Sequence, residues 1–224
     1  RLLDVDNLID FMIIEYYTGD RDGPGSRFGN IPNNTYGIYN RAHPDGWKWL
    51  HHDNEHTLGT SNSEINMVTP FTSAGSQWRY FNPHWQHERL AAANAEYRMH
   101  FADHVYRHFF NGGLLTPEVS IARIQRRAGE VDMAVIAESA RWGDSKRSKP
   151  LTKQDWQNEI NRIVSSYLPS RTDVVLNQFK SVGWYPNVNP PTFNRQGGWV
   201  PQGFSVQISG SGGTIYYTLD GSDP

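Results

Sequence analysis

Apolar residues at the start of the chain recur with the period of an α-helix. One stripe consists of Val5, Leu8, Met12 and Tyr16, and further apolar side chains fill the other faces at Ile9, Phe11, Ile13 and Ile14. Asp4 or Asp6 stands before the run, where a short acidic side chain can cap the first turn by accepting backbone N–H bonds. Because the apolar surface extends almost all round, we predict a helix through about Tyr17 that is buried at the centre of the domain.

Three further stretches of helical periodicity occupy the second half of the sequence. They run over residues 83–111, 117–142 and 152–182, and Thr152 is a candidate N-cap of the third. Pro169 is expected to break or kink that third helix because proline lacks an N–H and clashes with the preceding turn. The predicted inward stripes are Leu90, Tyr97, Phe101, Val105 and His108 in the first, Ile121, Ile124, Ala128, Val131 and Val135 in the second, and Trp156, Ile160, Val164 and Tyr167 in the third.

Between the first helix and these stretches, the sequence alternates as a β-hairpin does. Residues 35–41 predict one strand, His43-Pro44-Asp45-Gly46 a turn, and residues 47–52 the return strand. A long polar segment without clear periodicity follows from Gly59 to about Pro83. Segments of this length inside a compact domain are usually functional or mobile, so this one is a candidate to cover a site or to bind substrate.

Residues with metal-binding and proton-transfer chemistry gather at the ends of the first helix and of the hairpin. Arg21 and Asp22 follow the helix, Asn34 precedes the first strand, and Asp53 and Glu55 follow the second. Carboxylates and an Asn on loops and strand ends suit Mg²⁺, which takes oxygen ligands. The order also fits a phosphoryl-transfer site, in which one Asp accepts a hydroxyl proton while an Asn and a second Asp hold metal.

Two tryptophans of the return strand are candidates for nucleotide binding. Side chains alternate along a strand, so Trp47 and Trp49 should share a face with Asp53, where a purine could stack on an indole. The plainer alternative is that the tryptophans belong to the core. Asp and Asn in Gly- and Pro-rich loops are likewise often turn residues that bond their own backbone.

The three elements resemble those of the CotH-like, spore-coat-type atypical protein kinases. Members carry Arg-Asp-Gly or a similar element, then Asn-Phe-Tyr-x-Tyr, then Trp-Asp-x-Asp ending near Gly. This chain reads Arg21-Asp22-Gly23, then residues 34–39 as Asn-Thr-Tyr-Gly-Ile-Tyr, then His52-Asp53-Asn54-Glu55 with Gly59. It departs from the family at His52, which replaces the Trp, and at Glu55, which replaces the second Asp.

The resemblance implies an α+β, mainly helical fold: the C-lobe of an atypical protein kinase with a small β-hairpin at its active site. It implies ATP and Mg²⁺ as cofactors and serine- or threonine-type hydroxyl groups of proteins as acceptors. The implied roles are catalytic for Asp22 and Arg21, metal-binding for Asp53, Glu55 and Asn34, and cofactor-binding for Trp47 and Trp49. No glycine-rich phosphate loop followed by a strand Lys is found, so the nucleotide-covering lobe is expected upstream of Arg1 and this chain alone is expected to be inactive.

Composition changes after residue 182. Residues 1–182 are predicted to be a partial CotH-like kinase domain, residues 183–203 a Pro-, Asn- and Gly-rich linker, and residues 204–224 the start of another domain. The last stretch, with strands expected at 204–208 and 214–219, resembles the chitobiase/β-hexosaminidase C-terminal β-sandwich. That resemblance implies an extracytoplasmic or cell-surface bacterial protein with a surface or glycan-associated partner.

Charge, hydropathy and cysteine content exclude several classes of partner and chemistry. The formal net charge is −2 with both signs mixed, which disfavours nucleic acid and anionic membrane as partners. The sequence has no apolar run long enough to span a bilayer. Cysteine is absent, which excludes disulfides and thiolate chemistry.

The sequence is compatible with three other interpretations. A kinase fold that has lost activity could serve as a binding or surface-assembly module. A metal-dependent hydrolase could use His51, His52, Asp53 and His56. The spacing of His100, His104 and His108 could bind a transition metal, although His108 lies on the apolar stripe and so favours a packing role.

Overall fold

The computed structural model describes residues 2–26, 32–59, 65–68 and 82–222. The helices are α1 (Val5–Thr18), α2 (Pro83–Ala93), α3 (Ala95–Phe109), α4 (Pro117–Val131), α5 (Ala134–Trp142), α6 (Lys153–Arg162), a π-helical turn (Ile163–Tyr167) and α7 (Leu168–Ser181). The strands are β1 (Thr35–Ile38), β2 (Lys48–His51), β3 (Thr192–Phe193) and β4 (Ile208–Ser209). The fold is therefore mainly helical with short strands, as the sequence predicts.

Helix α1 is the centre of the domain, and this prediction is confirmed. Asp4 caps it by accepting a bond from the backbone N–H of Asn7 at 3.2 Å. Leu8, Met12 and Ile13 have no exposed surface. Burial of side chains on several faces of one helix removes a large apolar area from water, which is what stabilises such a core helix.

Aromatic side chains from three helices close the core around α1. The ring of Phe179 on α7 lies 5.0 Å from that of Phe101 on α3 and 5.6 Å from that of Tyr16 on α1, both edge to face. Phe101, Phe179 and Val105 are fully buried. These contacts fix α3 and α7 against the central helix.

The predicted first helix of the second half is broken at Asn94. This residue has extended backbone angles (φ −131°, ψ 117°), ends α2 and caps α3 by accepting bonds from the backbone N–H groups of Glu96 and Tyr97. Asn competes for nearby backbone N–H groups, which favours a cap over a helix interior. The prediction of a single helix over 83–111 is therefore wrong at this position.

The two later helices are also interrupted. The predicted helix over 117–142 divides between Val131 and Ala134 into α4 and α5. The helix predicted from Thr152 continues through the π turn at 163–167 into α7, and Pro169 stands just after this irregular turn. Thr152 caps α6 with a reciprocal capping box to Asp155, as the sequence predicts.

The inward stripe predicted for residues 117–142 is confirmed at four of its five positions. Ile121, Ile124, Ala128 and Val135 are half-buried, whereas Val131 is 38% exposed. Ser120 is the buried residue of α4. Helices α5 and α6 have no fully buried residue. The α4–α6 layer lies at the periphery, so its apolar side chains are only partly shielded from water.

The hairpin is confirmed with shorter strands. β1 and β2 are antiparallel, with Thr35 opposite His51 and Ile38 opposite Lys48. The strands stop early because Trp47 bonds the start of the chain: its N–H donates to the carbonyl of Leu2, and its carbonyl accepts from the N–H of Asp4, both at 3.0 Å.

The C-terminal strands differ from the prediction. Ile208 and Ser209 pair with Thr192 and Phe193, which lie in the predicted linker, and residues 214–219 form no strand. A two-stranded ribbon buries too little surface to form a core of its own. The side chains of Tyr216, Tyr217 and Leu219 are accordingly exposed.

The long polar segment after Gly59 falls largely outside the described residues. Of its part that is described, Met67 and Val68 are buried in the core. None of the helices in the described ranges combines the length and hydrophobicity that a bilayer crossing requires.

Candidate active site

A buried cation from α7 holds the last turn of α1. Arg171 has no exposed surface and donates from Nε to the carbonyl of Tyr17 at 2.8 Å and from Nη2 to the carbonyl of Tyr16 at 2.6 Å. Its Nη1 also bonds the carbonyl of Ile65 at 2.8 Å. A cation is favourable at a helix C-terminus because the last carbonyls lack helical partners and carry partial negative charge. Arg171 thereby fixes the point where the next loop begins.

The loop leaves the helix at Gly19 and is organised by Asp20. Gly19 has φ +67°, and a Cβ there would lie 2.5 Å from Cγ2 of Ile65, so the turn requires glycine. Asp20 is 2% exposed; its Oδ1 accepts from the backbone N–H of Asp22 at 2.8 Å and its Oδ2 from Nδ2 of Asn54 at 2.6 Å. One buried carboxylate therefore joins the loop after α1 to the loop after β2.

Three side chains donate to the carboxylate of Asp22. Ser26 Oγ bonds Oδ1 at 2.9 Å, while Nδ2 of Asn33 and Nδ2 of Asn34 bond Oδ2 at 3.0 and 3.1 Å. Asp22 itself is 9% exposed. An ionised carboxylate offers about four lone-pair positions. Roughly one of these stays open beside the three bonds.

Asn34 connects Asp22 to the end of the hairpin. Its Nδ2 also donates to the carbonyl of Asp53 at 3.2 Å. Asn34 and Asp53 both have left-handed backbones (φ 44° and 52°), a region in which Asn and Asp are enriched. The Asn and the Asp of the predicted site are therefore brought together through the backbone of Asp53.

Glu55 and His56 complete the cluster. One ligand atom from each of Asp22, Glu55 and His56 lies within 4.8 Å of the other two. The carboxylate of Glu55 is 3.3 Å from Nε2 of His56. The side chain of Asp53 is exposed and lies outside this group of three.

The donor atoms fit a hard divalent cation. Carboxylate oxygens of Asp22 and Glu55 reach one region, and Mg²⁺ prefers such ligands together with waters and phosphate oxygens. Asn54 stands between Asp53 and Glu55 and is anchored to buried Asp20, so the loop carrying both carboxylates is held in place.

The order of these elements is that of a known family. A family model described as CotH kinase protein matches residues 1–175. The chain belongs to the CotH kinase protein family. The match covers α1, the hairpin, the acidic cluster and half of α7. No curated protein and no solved structure matches the chain.

In this family member, the two tryptophans lie along the hairpin. A Cβ on Gly37 would be 3.1 Å from the indole of Trp49 and 3.3 Å from that of Trp47, so Gly37 leaves room for both rings. The backbone of Trp49 exchanges two hydrogen bonds with the side chain of Asn7 on α1. Trp47 is 46% exposed. Their role in nucleotide binding stays a prediction.

The backbone of Arg21 bonds the loop after β2. Its N–H donates to the carbonyl of His56 at 3.2 Å, which joins the loop after α1 to the loop after β2 a second time. The catalytic role that the resemblance implies for Arg21 stays a prediction.

A buried carboxylate of α1 supports the site through a contact with His51. The carboxylate of Glu15, 4% exposed, lies 2.8 Å from Nδ1 of His51, and the His51 ring stacks on Phe11 with centroids 4.2 Å apart. Burial raises the pKa of Glu15, the hydrogen bond to His51 lowers it in part, and the charge of Asp20 raises it further.

The histidines proposed for a hydrolase are dispersed. His51 bonds Glu15, whereas the ring of His52 lies edge-on to Tyr36 at 4.9 Å. Within the described part of the chain, His56 joins a group of three potential metal ligands at this site, and His51 and His52 do not. The positions therefore favour a site dominated by oxygen ligands over a histidine-rich one.

Sequence reasoning missed the supports of this site. Asp20 and Arg171 are buried and hold the two loops and the end of α1. Arg171 bonds carbonyls more than 150 positions away and Asp20 bonds Asn54 34 positions away, so local periodicity carries no signal for these contacts. A charged residue directly before Arg21-Asp22 was the one available indication for Asp20.

Proposed function

We propose that this CotH kinase transfers the γ-phosphoryl group of ATP to hydroxyl groups of proteins in a Mg²⁺-dependent reaction. The observation that carries the proposal is the convergence of Asp22, Asn34 and the 53–56 loop on one carboxylate-rich point. Phosphoryl transfer depends chiefly on positioning and on neutralising charge, and this site offers positioned oxygen groups.

In the proposed reaction, Asp22 orients the acceptor hydroxyl and takes its proton. The hydroxyl oxygen forms a bond to the γ-phosphorus while the bond from that phosphorus to the β–γ bridging oxygen breaks, leaving ADP. Bonds from Ser26, Asn33 and Asn34 occupy three acceptor positions of Asp22 and hold its remaining position in one direction. A base in a fixed direction is what general-base catalysis requires.

Glu55 and Asp53 are the proposed holders of Mg²⁺, with the amide oxygen of Asn34 as a further ligand. Mg²⁺ supplies neutralisation of the phosphate charge when bound. Trp47 and Trp49 are proposed to contact the base of ATP, and Arg21 to balance the charge of the transferred group. These roles follow the family order and the spacing of the loop.

The second candidate is a kinase fold that has lost transfer activity and acts as a binding or surface-assembly module. Three observations favour it: His52 replaces the family's Trp, Glu55 replaces its second Asp, and the side chain of Asp53 is exposed outside the group of three. The two candidates differ in a single observable, which is turnover of ATP.

Transfer of labelled γ-phosphate from ATP to a mixture of proteins tests the proposal. The assay is run on this chain and on any longer form of the protein. We expect Mg²⁺-dependent labelling that Asp22→Asn abolishes and that the exposed control Asp144→Asn leaves intact. ATP binding without any labelling favours the module, and labelling unaffected by Asp22→Asn contradicts the assigned base.

We also propose an extracytoplasmic or surface setting in which the C-terminal part meets a glycan-bearing partner. Trp199, Tyr216 and Tyr217 are 80%, 74% and 66% exposed there, and flat aromatic faces pack well against sugar rings. Co-sedimentation of the protein with insoluble chitin should fall when these three residues are changed to Ala. Equal sedimentation of the variant would contradict a glycan contact through these three residues.

A further inference from the structure

A second group of imidazoles and carboxylates lies between α1 and α3. Helix α3 carries His100, His104 and His108 on successive turns, so they share one face. Helix α1 carries Asp6 and Asp10 one turn apart. The two rows face each other, and every one of the three imidazoles lies within ion-pair distance of an aspartate.

One carboxylate oxygen of Asp6 lies near the Nε2 atoms of both His100 and His104. Its Oδ1 lies 2.7 Å from Nε2 of His100 and 3.4 Å from Nε2 of His104. The three ligand atoms lie within 4.8 Å of one another. Two imidazole nitrogens one helical turn apart, together with a carboxylate oxygen, form a common ligand set for Zn²⁺.

The other ring nitrogen of His104 is already engaged. Nδ1 lies 2.6 Å from Oδ1 of Asp10, and the His104 side chain is 3% exposed. A carboxylate at Nδ1 favours the tautomer that carries its proton there, which directs the Nε2 lone pair toward Asp6 and His100. Metal-binding histidines usually donate their second N–H to a carboxylate in this way, because it fixes the ring and raises its basicity.

We propose that Asp6, His100 and His104 bind a divalent transition-metal ion with the preferences of Zn²⁺, and that Asp10 orients His104 for this purpose. The side chains of Asp6 and His100 are 55% and 43% exposed, so water can enter and fill a fourth position. The ion joins α1 to α3 through Asp6 and His100, which lie 94 positions apart in sequence. It is a crosslink between the central helix and its neighbour.

A neighbouring group made of Asp10, His104 and His108 is the rival ligand set. Its atoms also lie within 4.8 Å of one another. In this rival set the metal would bind Nδ1 of His104, and Nε2 of His104 would keep only its 3.4 Å contact to Asp6. Asp10 and His108 moreover line a cavity of about 440 Å³ whose walls are mostly apolar, among them Ile13 and Leu115. The group formed with Asp6 satisfies both nitrogens of His104 and has open access to solvent.

The chemistry separates this site from the acidic cluster at the other end of α1. Imidazole favours Zn²⁺, Ni²⁺ and Cu²⁺, whereas Mg²⁺ favours oxygen ligands and dehydrates reluctantly. An excess of Mg²⁺ should therefore occupy the oxygen-rich cluster and leave the α1–α3 site to Zn²⁺.

Calorimetric titration of the 224-residue protein with Zn²⁺ in excess Mg²⁺ tests the proposal, together with the visible spectrum of Co²⁺ as a probe of coordination. We expect one ion per chain, with strong absorption typical of four-coordinate Co²⁺. His100→Ala and Asp6→Asn should each abolish binding at this site. Asp10→Asn should lower the affinity about 10- to 100-fold, as loss of an outer partner typically does.

Controls assign the site. The exposed His43→Ala and the active-site Glu55→Gln should leave Zn²⁺ affinity unchanged, and far-UV circular dichroism should show native helix content in every variant. Binding retained in both His100→Ala and Asp6→Asn overturns the proposal. Binding lost in Glu55→Gln also overturns it, and binding lost in His108→Ala but retained in His100→Ala assigns the ion to the rival set.

Discussion

The two ends of α1 carry clusters of similar residues in different surroundings. Near the C-terminal end, Asp20 and Asp22 accept bonds from amide groups such as those of Asn34 and Asn54. In the N-terminal half, Asp6 and Asp10 face imidazoles instead. Side chains of the same type are therefore proposed to form an oxygen-rich site for Mg²⁺ at one end and a nitrogen-rich site for Zn²⁺ at the other.

Two acidic side chains of α1, Asp10 and Glu15, lie five positions apart and have opposite pKa shifts. Burial raises the pKa of Asp10, but hydrogen bonds and charges from His104 and His108 outweigh it and hold that pKa well below its ordinary value. Burial also raises the pKa of Glu15, and there the bond from His51 compensates only in part. Asp10, which has two imidazole partners and is only partly buried, therefore has a lowered pKa. Glu15, which has one imidazole partner and is almost fully buried, has a raised pKa.

The largest effect should come from Asp22. Asp22→Asn keeps the shape of the side chain and removes its proton-accepting charge, so the rate of phosphoryl transfer should fall about 10²- to 10⁴-fold. The dissociation constant of Mg-ATP should stay nearly constant, as measured by calorimetry alongside the transfer assay. If Asp22→Asn weakens Mg-ATP binding as much as Glu55→Gln does, Asp22 is a metal ligand and the base lies elsewhere.

Replacement of Arg171 should lower the stability of the C-terminal end of α1. Arg171→Met leaves buried carbonyls at the end of α1 without their donor, at about 1–3 kcal/mol for each unsatisfied group. We expect the free energy of unfolding in urea to drop by roughly 3 kcal/mol or more, while the exposed control Arg126→Met stays close to wild type. An Arg171→Met variant as stable as wild type would mean that water replaces the guanidinium at no cost.

Glu55 and His100 should show opposite metal dependence. Glu55→Gln removes a charged oxygen ligand and should weaken Mg²⁺-dependent ATP binding about tenfold while leaving Zn²⁺ binding unchanged. His100→Ala should do the reverse. Titration of both ions into both variants checks this, with Glu138→Gln as the exposed control. A variant that loses both ions equally would show that the clusters are not independent.

The smallest effect concerns the pH dependence of stability. A carboxyl whose pKa is higher in the folded than in the unfolded state favours folding while protonated, so this contribution is lost as pH rises from 4.5 through the raised value for Glu15. Glu15→Gln should therefore gain stability relative to wild type across that window. Parallel pH profiles of the unfolding free energy for the two proteins would contradict the assignment.

Local patterns predicted the parts of the molecule whose partners are close in sequence. The buried α1, the hairpin and the caps at Asp4 and Thr152 follow from short-range periodicity and turn chemistry, and the structure has them. The break at Asn94 was missed because the apolar period continues across it. Cap bonds to Glu96 and Tyr97 outweigh that period in the fold.

At the site, contacts between residues far apart in sequence could not be predicted from local patterns. The order Asp22, Asn34, Asp53 was readable because it follows a family pattern. Asn34 bonds both the carboxylate of Asp22 and the backbone carbonyl of Asp53, whereas the side chain of Asp53 lies outside the group of three. The clamp of Arg171 on α1 spans more than 150 positions and has no local signal. The strands expected at 204–208 and 214–219 failed for a related reason, since strand formation depends on a partner that the pattern of a single segment does not specify.

The cluster after α1 is the proposed metal and nucleotide site of the protein. Titration of ATP into the wild-type protein with and without Mg²⁺ tests this assignment. We expect Mg²⁺ to strengthen ATP binding and Asp53→Asn to abolish this gain, with Asp144→Asn as the matched control. Equal ATP affinity with and without Mg²⁺, or a gain that survives Asp53→Asn, would rule this assignment out.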